Sequence, residues 1–155
     1  GAATSGEPAQ VWGICDRRSP LALAGLDRVA VGMDEVPALL ASLRFERGPV
    51  FLLIDDAERF EDADQSIAGA VTSGQPGLCV IAAGRAADLR GLYSHWTKTL
   101  RKSRLGVLLQ PDVDYDGELL GAALPRRAPV ALTVGRGYIG VGGQLALIQS
   151  MSTEG

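Results

Sequence analysis

The chain has 155 residues, 46% of them apolar and 21% charged, with a formal net charge of −3. That is the composition of one ordinary globular domain, and it excludes a disordered chain. No apolar run approaches the roughly 20 residues of a membrane span, residues 1–8 carry no signal-peptide pattern, and the negative charge removes the basic signature of a typical nucleic-acid binder.

The elements alternate along the chain. Residues 1–10 read as a flexible leader, 11–150 as one domain and 151–155 as a tail. The run 11–15 (VWGIC) is a short strand, broken by Asp16-Arg17-Arg18-Ser19-Pro20. Ser19 before Pro20 is a turn or helix start; with a single histidine in the chain it has no partner for nucleophilic work. A second strand follows at 28–31 (RVAV). Residues 33–43 place Val36, Leu39, Leu40 and Leu43 at helical spacing. The run 50–54 (VFLLI) is continuously apolar, which fits a strand covered on both faces, as in parallel sheets. A weaker helix is expected over 62–72, and a second two-sided strand at 78–82 (LCVIA).

The strongest helix signal spans 86–102, with Leu89, Leu92, Tyr93, Trp96 and Leu100 on one stripe. Tyr93 and Trp96 read as core residues, and His95 as exposed. Lys98, Arg101, Lys102 and Arg104 cluster at the end of that helix, where they suit the helix dipole or, alternatively, DNA phosphates or an acidic partner. A strand is expected at 106–109, an acidic turn and short helix over 112–120, and strands at 138–141 and 145–148 flanking Gly142-Gly143, a two-residue hairpin signal. Cys15 and Cys79 lie inside separate apolar runs and read as buried reduced thiols. The order of elements predicts an α/β fold with a mostly parallel sheet, one edge closed by the hairpin.

The sharpest chemical feature is Val50-Phe51-Leu52-Leu53-Ile54-Asp55-Asp56-Ala57-Glu58. It puts two carboxylates at the carboxyl end of a strand, where open α/β sheets bind ligands. Such acids can hold Mg²⁺ and polarise a water, or simply be solvated at a strand-to-loop transition. The phosphate cradle G-x-x-x-x-G-K-[ST] is absent; 1–6 (GAATSG) has no lysine and no strand before it. Gly135-Arg136-Gly137 and the glycines at 140, 142 and 143 read as turn chemistry.

Six strings in order resemble the FtsK/SpoIIIE-type RecA-like motor ATPases: RRSPL at 17–21, VFLLIDDAE at 50–58, CVIAAGR at 79–85, SRLGVLLQPD at 103–112, DGELLG at 116–121 and GRGYIGV at 135–141. Among these motors, the chain is most similar to actinobacterial members, including the last ATPase-like domain of EccC proteins in type VII secretion. The resemblance implies a RecA-like P-loop NTPase-type domain with flanking helices, lacking its P-loop segment. It implies ATP and Mg²⁺ as cofactors, with Asp55 at the metal-associated acid and Asp56 where working members carry the catalytic glutamate. Arg85 matches the end of the sensor strand, but Ala83-Gly84 replaces the family's Thr-Gln. Residues 114–118 (DYDGE) stand where the family has an arginine for the neighbouring subunit's nucleotide. The phosphate-loop strand and helix, expected just before Val11, are missing; in this reading that strand would lie beside the one ending in Asp55.

The implied role is therefore a catalytically degenerate docking or regulatory module, inactive alone, in a type VII secretion motor. Its apolar groove for helical secretion signals would be lined by Trp12 and the 86–102 helix. The rival implication is a truncated nucleotide-binding domain of a DNA translocase. The implied partners are other ATPase domains in a ring, and a helical signal protein or double-stranded DNA. The implied place is the cytoplasm, at the inner membrane face through other domains, without insertion by this chain.

Overall fold

The computed structural model describes residues 6–127 and 130–151. Most of the glycine-rich stretch at 1–6, the first half of the expected leader and residues 152–155 of the tail thus lie outside the described residues. The chain forms two compact units, Gly1–Gly84 and Arg85–Gly155.

The first unit is a four-stranded parallel sheet in the order β2-β1-β3-β4. Its strands are β1 (Gln10–Cys15), β2 (Arg28–Val31), β3 (Val50–Ile54) and β4 (Leu78–Ala82). Three of the four match the sequence expectation to the residue, because continuous β-branched and leucine runs bounded by turn residues leave little choice. The helix expected over 33–43 is α1 (Val36–Ser42) with tightened 3-10 turns at both ends. The helix expected over 62–72 shortens to α2 (Ser66–Thr72).

One face of the sheet carries the core. Register places Trp12 beside Leu52 and Ile14 beside Ile54, and all four are at most 1% exposed. Val36, Leu40 and Leu43 of the α1 region and Ile67 of α2 are buried with them. The other face does not meet the two-sided expectation. Leu26 covers Gly13, where a Cβ would come within 2.6 Å of it. Phe51 and Ile81, however, remain 39% and 51% exposed, and Cys79 is exposed rather than buried. Continuous apolarity signalled a strand with two apolar faces; coverage depends on elements outside the strand.

Topology also corrects the position expected for a missing phosphate-loop strand. β3 already has a parallel neighbour on each side, β1 and β4. The unpaired edge of this sheet nearest the paired acids is that of β4.

The second unit holds α3 (Ala86–Arg90), α4 (Thr97–Arg101) and an antiparallel sheet ordered β5-β6-β7. Its strands are β5 (Gly106–Leu109), β6 (Arg136–Val141) and β7 (Gln144–Gln149). The hairpin forms as expected, its turn closed by Gly142 and Gly143 at φ 57° and 89°. It pairs with β5 in a sheet of its own rather than closing the parallel one. Gly137 is required there: a Cβ would lie 1.8 Å from the Leu108 carbonyl oxygen. The core of this unit is Leu108, Leu119, Leu120, Leu124 and Tyr138.

The single helix expected over 86–102 is two helices. Gly91 ends α3 by donating its N–H to the carbonyls of Ala87 and Asp88. His95, half-buried rather than exposed, opens α4 by accepting the Thr97 N–H on Nδ1 at 3.3 Å. The proposed stripe therefore splits: Trp96 is 6% exposed and Tyr93 83%.

The buried carboxylate of Asp62 caps α2, accepting the N–H groups of Ile67 and Ala68 at 2.8 Å each. Asp62→Ala leaves those donors unpaired and is expected to lower unfolding free energy by about 1–2 kcal/mol, measured by urea denaturation.

Candidate functional site

Asp55 lies one residue beyond β3. Its N–H donates to the Ile14 carbonyl at 3.0 Å, so the ladder to β1 continues past the strand. Asp56 then turns the chain in the left-handed region, φ 48° and ψ 47°. The Ala57 N–H donates to the Ala83 carbonyl and the Ala83 N–H to the Ile54 carbonyl, both at 2.8 Å. The chain after β1, after β3 and after β4 thus converges at the carboxyl end of the parallel sheet, as the sequence predicted for the two acids.

The sequence reading takes Ser19 only as a turn or helix start. It is that: its Oγ accepts the Leu21 N–H at 3.1 Å and caps a 3-10 turn, Pro20–Leu23. Its hydroxyl also donates to Asp55 Oδ2 at 2.5 Å. Ser19 is 7% exposed, so the hydroxyl end of this bond is largely shielded from water. The 36 residues between the partners hide the contact in the sequence. Beside them, burial pushes the Cys15 thiol above its usual 9.0; a hydrogen bond with Ser19 opposes the shift and the carboxylates of Asp55, Asp16 and Glu35 add to it.

The walls here suit apolar matter. A hollow of about 250 Å³ is lined by Pro20, Leu21, Leu53, Ile81 and Ala83, with Asp55 also among its lining residues. It is smaller than the roughly 300–1,000 Å³ typical of small-molecule sites. Of the protein groups at this strand end, Mg²⁺ would have only the carboxylates of Asp55 and Asp56. It requires octahedral oxygen ligands, usually carboxylates combined with substrate phosphates. Asp55 already has one oxygen engaged by Ser19, and no cluster of three or more His, Cys, Asp or Glu among the described residues could hold a metal.

Arg85 belongs to the second unit, where it is exposed and opens α3, its carbonyl accepting the Leu89 N–H. Asp55 and Asp56 belong to the first. Trp12, expected to line an apolar groove, does not face one. Trp12 is wholly buried, its indole N–H donating to Gln10 at 2.8 Å, with the Arg28 guanidinium 4.8 Å from its ring centre. In the basic cluster, Arg101 is half-buried and donates to the Leu89 carbonyl; burial lowers its pKa, against the opposing field of Glu118.

The acidic segment of the second unit is structural. Asp112-Val113-Asp114-Tyr115-Asp116-Gly117 has the spacing of a cation loop. Asp116 is 5% exposed, but it pairs with Arg90 at 3.0 Å and accepts the Asp112 N–H at 2.7 Å. The guanidinium supplies the positive charge that a cation would.

No protein-family model and no curated protein matches the chain. Solved structures share its fold, two of EssC among them. The cytoplasmic domain of EssC aligns at a TM-score of 0.61 and 20% identity, over 92% of this chain and 34% of that one. EssC ATPases 2 and 3 from Geobacillus thermodenitrificans align at 0.61 and 20%, over 92% of this chain and 31% of that one. The chain thus has the α/β fold of the EssC ATPase domains, in agreement with the resemblance carried by the six strings, and spans about a third of the structures it matches.

Ser19→Ala removes both a cap and the partner of Asp55. It is expected to cost about 1–2 kcal/mol in urea unfolding, with Asp55→Asn milder because the amide oxygen still accepts. Cys15 gives a pH signature. Its folded pKa lies above the unfolded 9.0, so the unfolded chain ionises first and stability falls as pH rises past 9.0. Cys15→Ala should flatten that decline, and iodoacetamide should label exposed Cys79 in the folded protein but Cys15 only after unfolding.

Proposed function

We propose that this chain is an ATPase-fold module of a type VII secretion motor that binds protein rather than hydrolysing nucleotide. The observation that carries the reading is the end of β3: Asp55 is held by a serine hydroxyl and faces an apolar hollow. Phosphoryl transfer depends almost wholly on positioned positive charge and polar donors. Here Gly84 lacks the side-chain amide of the sensor position, and residues 114–118 are acidic where the resembled motors carry an arginine. Removing several such groups costs orders of magnitude in rate. Ile81, exposed and lining the hollow, and exposed Phe51 on the same face of the sheet suit the apolar face of a helical signal on a secreted protein. Other ATPase domains of the same motor would be its neighbours, tethered to the membrane through segments outside this chain.

A second reading is favoured by the open edge of β4. The helices α1 and α2 serve crossovers that step in one direction across the sheet, and their buried residues share one core. A strand added at the β4 edge and leading back to β1 would step the other way. Right-handed crossover would then put its helix on the opposite face, over Phe51 and Ile81. A strand and helix entering ahead of β1 would thus cover both open features and bring a phosphate loop near Asp55 and Asp56. In that case the domain binds ATP·Mg²⁺, as in a DNA translocase.

Titration calorimetry separates the two. For the docking module, 1–155 gives no ATP·Mg²⁺ binding tighter than about millimolar, and a helical secretion-signal peptide binds and is lost on Ile81→Asp. Submillimolar ATP binding by the chain extended upstream, with turnover lost in Asp56→Asn, would establish the second reading instead.

A further inference from the structure

Among the described residues the outer edge of β7 is unpaired, β6 being its one neighbour in the sheet. Native sheets guard such edges with charge, proline, bulges or brevity. β7 has none of these: its six residues, QLALIQ, are uncharged, pair with β6 without a bulge, and leave Leu147 39% exposed. The hairpin fixes which backbone groups point outward. Val141 and Gln144 close the two-residue turn, so every second residue from Gln144 bonds inward to β6. Leu145, Leu147 and Gln149 therefore turn their N–H and C=O groups to the open edge.

That edge is self-complementary. We propose that a second copy of this chain pairs with it, β7 against β7, antiparallel about a two-fold axis through Leu147. In this register Leu147 meets Leu147 of the other copy, Leu145 meets Gln149, and Ala146 meets Ile148. Each outward-facing residue exchanges a pair of backbone hydrogen bonds, and no charge opposes a charge. The three-stranded sheet becomes one of six strands. Its solvent-side face, which includes Val107 and Val141 at 50% and 56% exposure, becomes a continuous apolar surface across both copies. The contact is isologous and closes on itself, unlike the head-to-tail contacts of a ring. It does not rest on the secretion reading, since it uses neither the paired acids nor the hollow.

The axis makes the test specific. The wild-type chain should run by light scattering as a dimer, twice 16.2 kDa, at about 100 µM. The amides of Leu145, Leu147 and Gln149 should exchange with deuterium about tenfold more slowly there than at low concentration. Leu147→Lys places like charges opposite one another, so it should be monomeric; Leu147→Glu should be too. Mixing the lysine and glutamate variants should restore a dimer, which separates loss of pairing from loss of folding. Should either variant fail to fold, the concentration-dependent amide protection in the wild type decides. A wild-type monomer at about 100 µM, or a dimer that survives Leu147→Lys, would overturn the proposal.

Discussion

The place of β3 in the parallel sheet is the constraint on which the first unit depends. A central strand must bond to neighbours on both sides, and β3 does so with β1 and β4 over its whole length. Its alternate residues Val50, Leu52 and Ile54 are buried on the core face. This register fixes the direction of the strand's carboxyl end. It also brings the segment after β1 beside Asp55, close enough for Ser19 to reach its carboxylate. A register slip would reverse the buried face and break that contact together.

The Ser19–Asp55 bond changes the meaning of the acid pair. A carboxylate at a strand end can wait for a cation or be satisfied by the protein. Here one oxygen is satisfied internally by a nearly buried hydroxyl, and the space beside it is apolar. A low-polarity wall strengthens the internal bond and disfavours a polyanion. Asp62 and Asp116 follow the same logic: each buried acid is occupied, one by helix amides and one by Arg90. The acids whose geometry is clearest in this chain build structure.

Much of the fold was legible in the sequence. Strands β3, β4 and β5 were read to the residue, because apolar runs with flanking glycine, proline and acids admit one local solution. The hairpin was legible because Gly142-Gly143 satisfies two positive φ angles. The paired acids were placed at the carboxyl end of the sheet for the same local reason. The 86–102 helix was misread because periodicity averages over Gly91, whose N–H ends the helix locally. Cys79 was misread because an apolar neighbourhood in sequence is not a covered face in space.

The sequence by itself determined which segments extend, which coil and where two carboxylates end a strand, since backbone sterics and side-chain periodicity act over a few residues. Only the tertiary structure decided what those carboxylates touch and which faces stay open. Those outcomes come from contacts between residues far apart in the chain, such as Ser19 with Asp55 and Arg90 with Asp116, and from strand order, which no local pattern encodes.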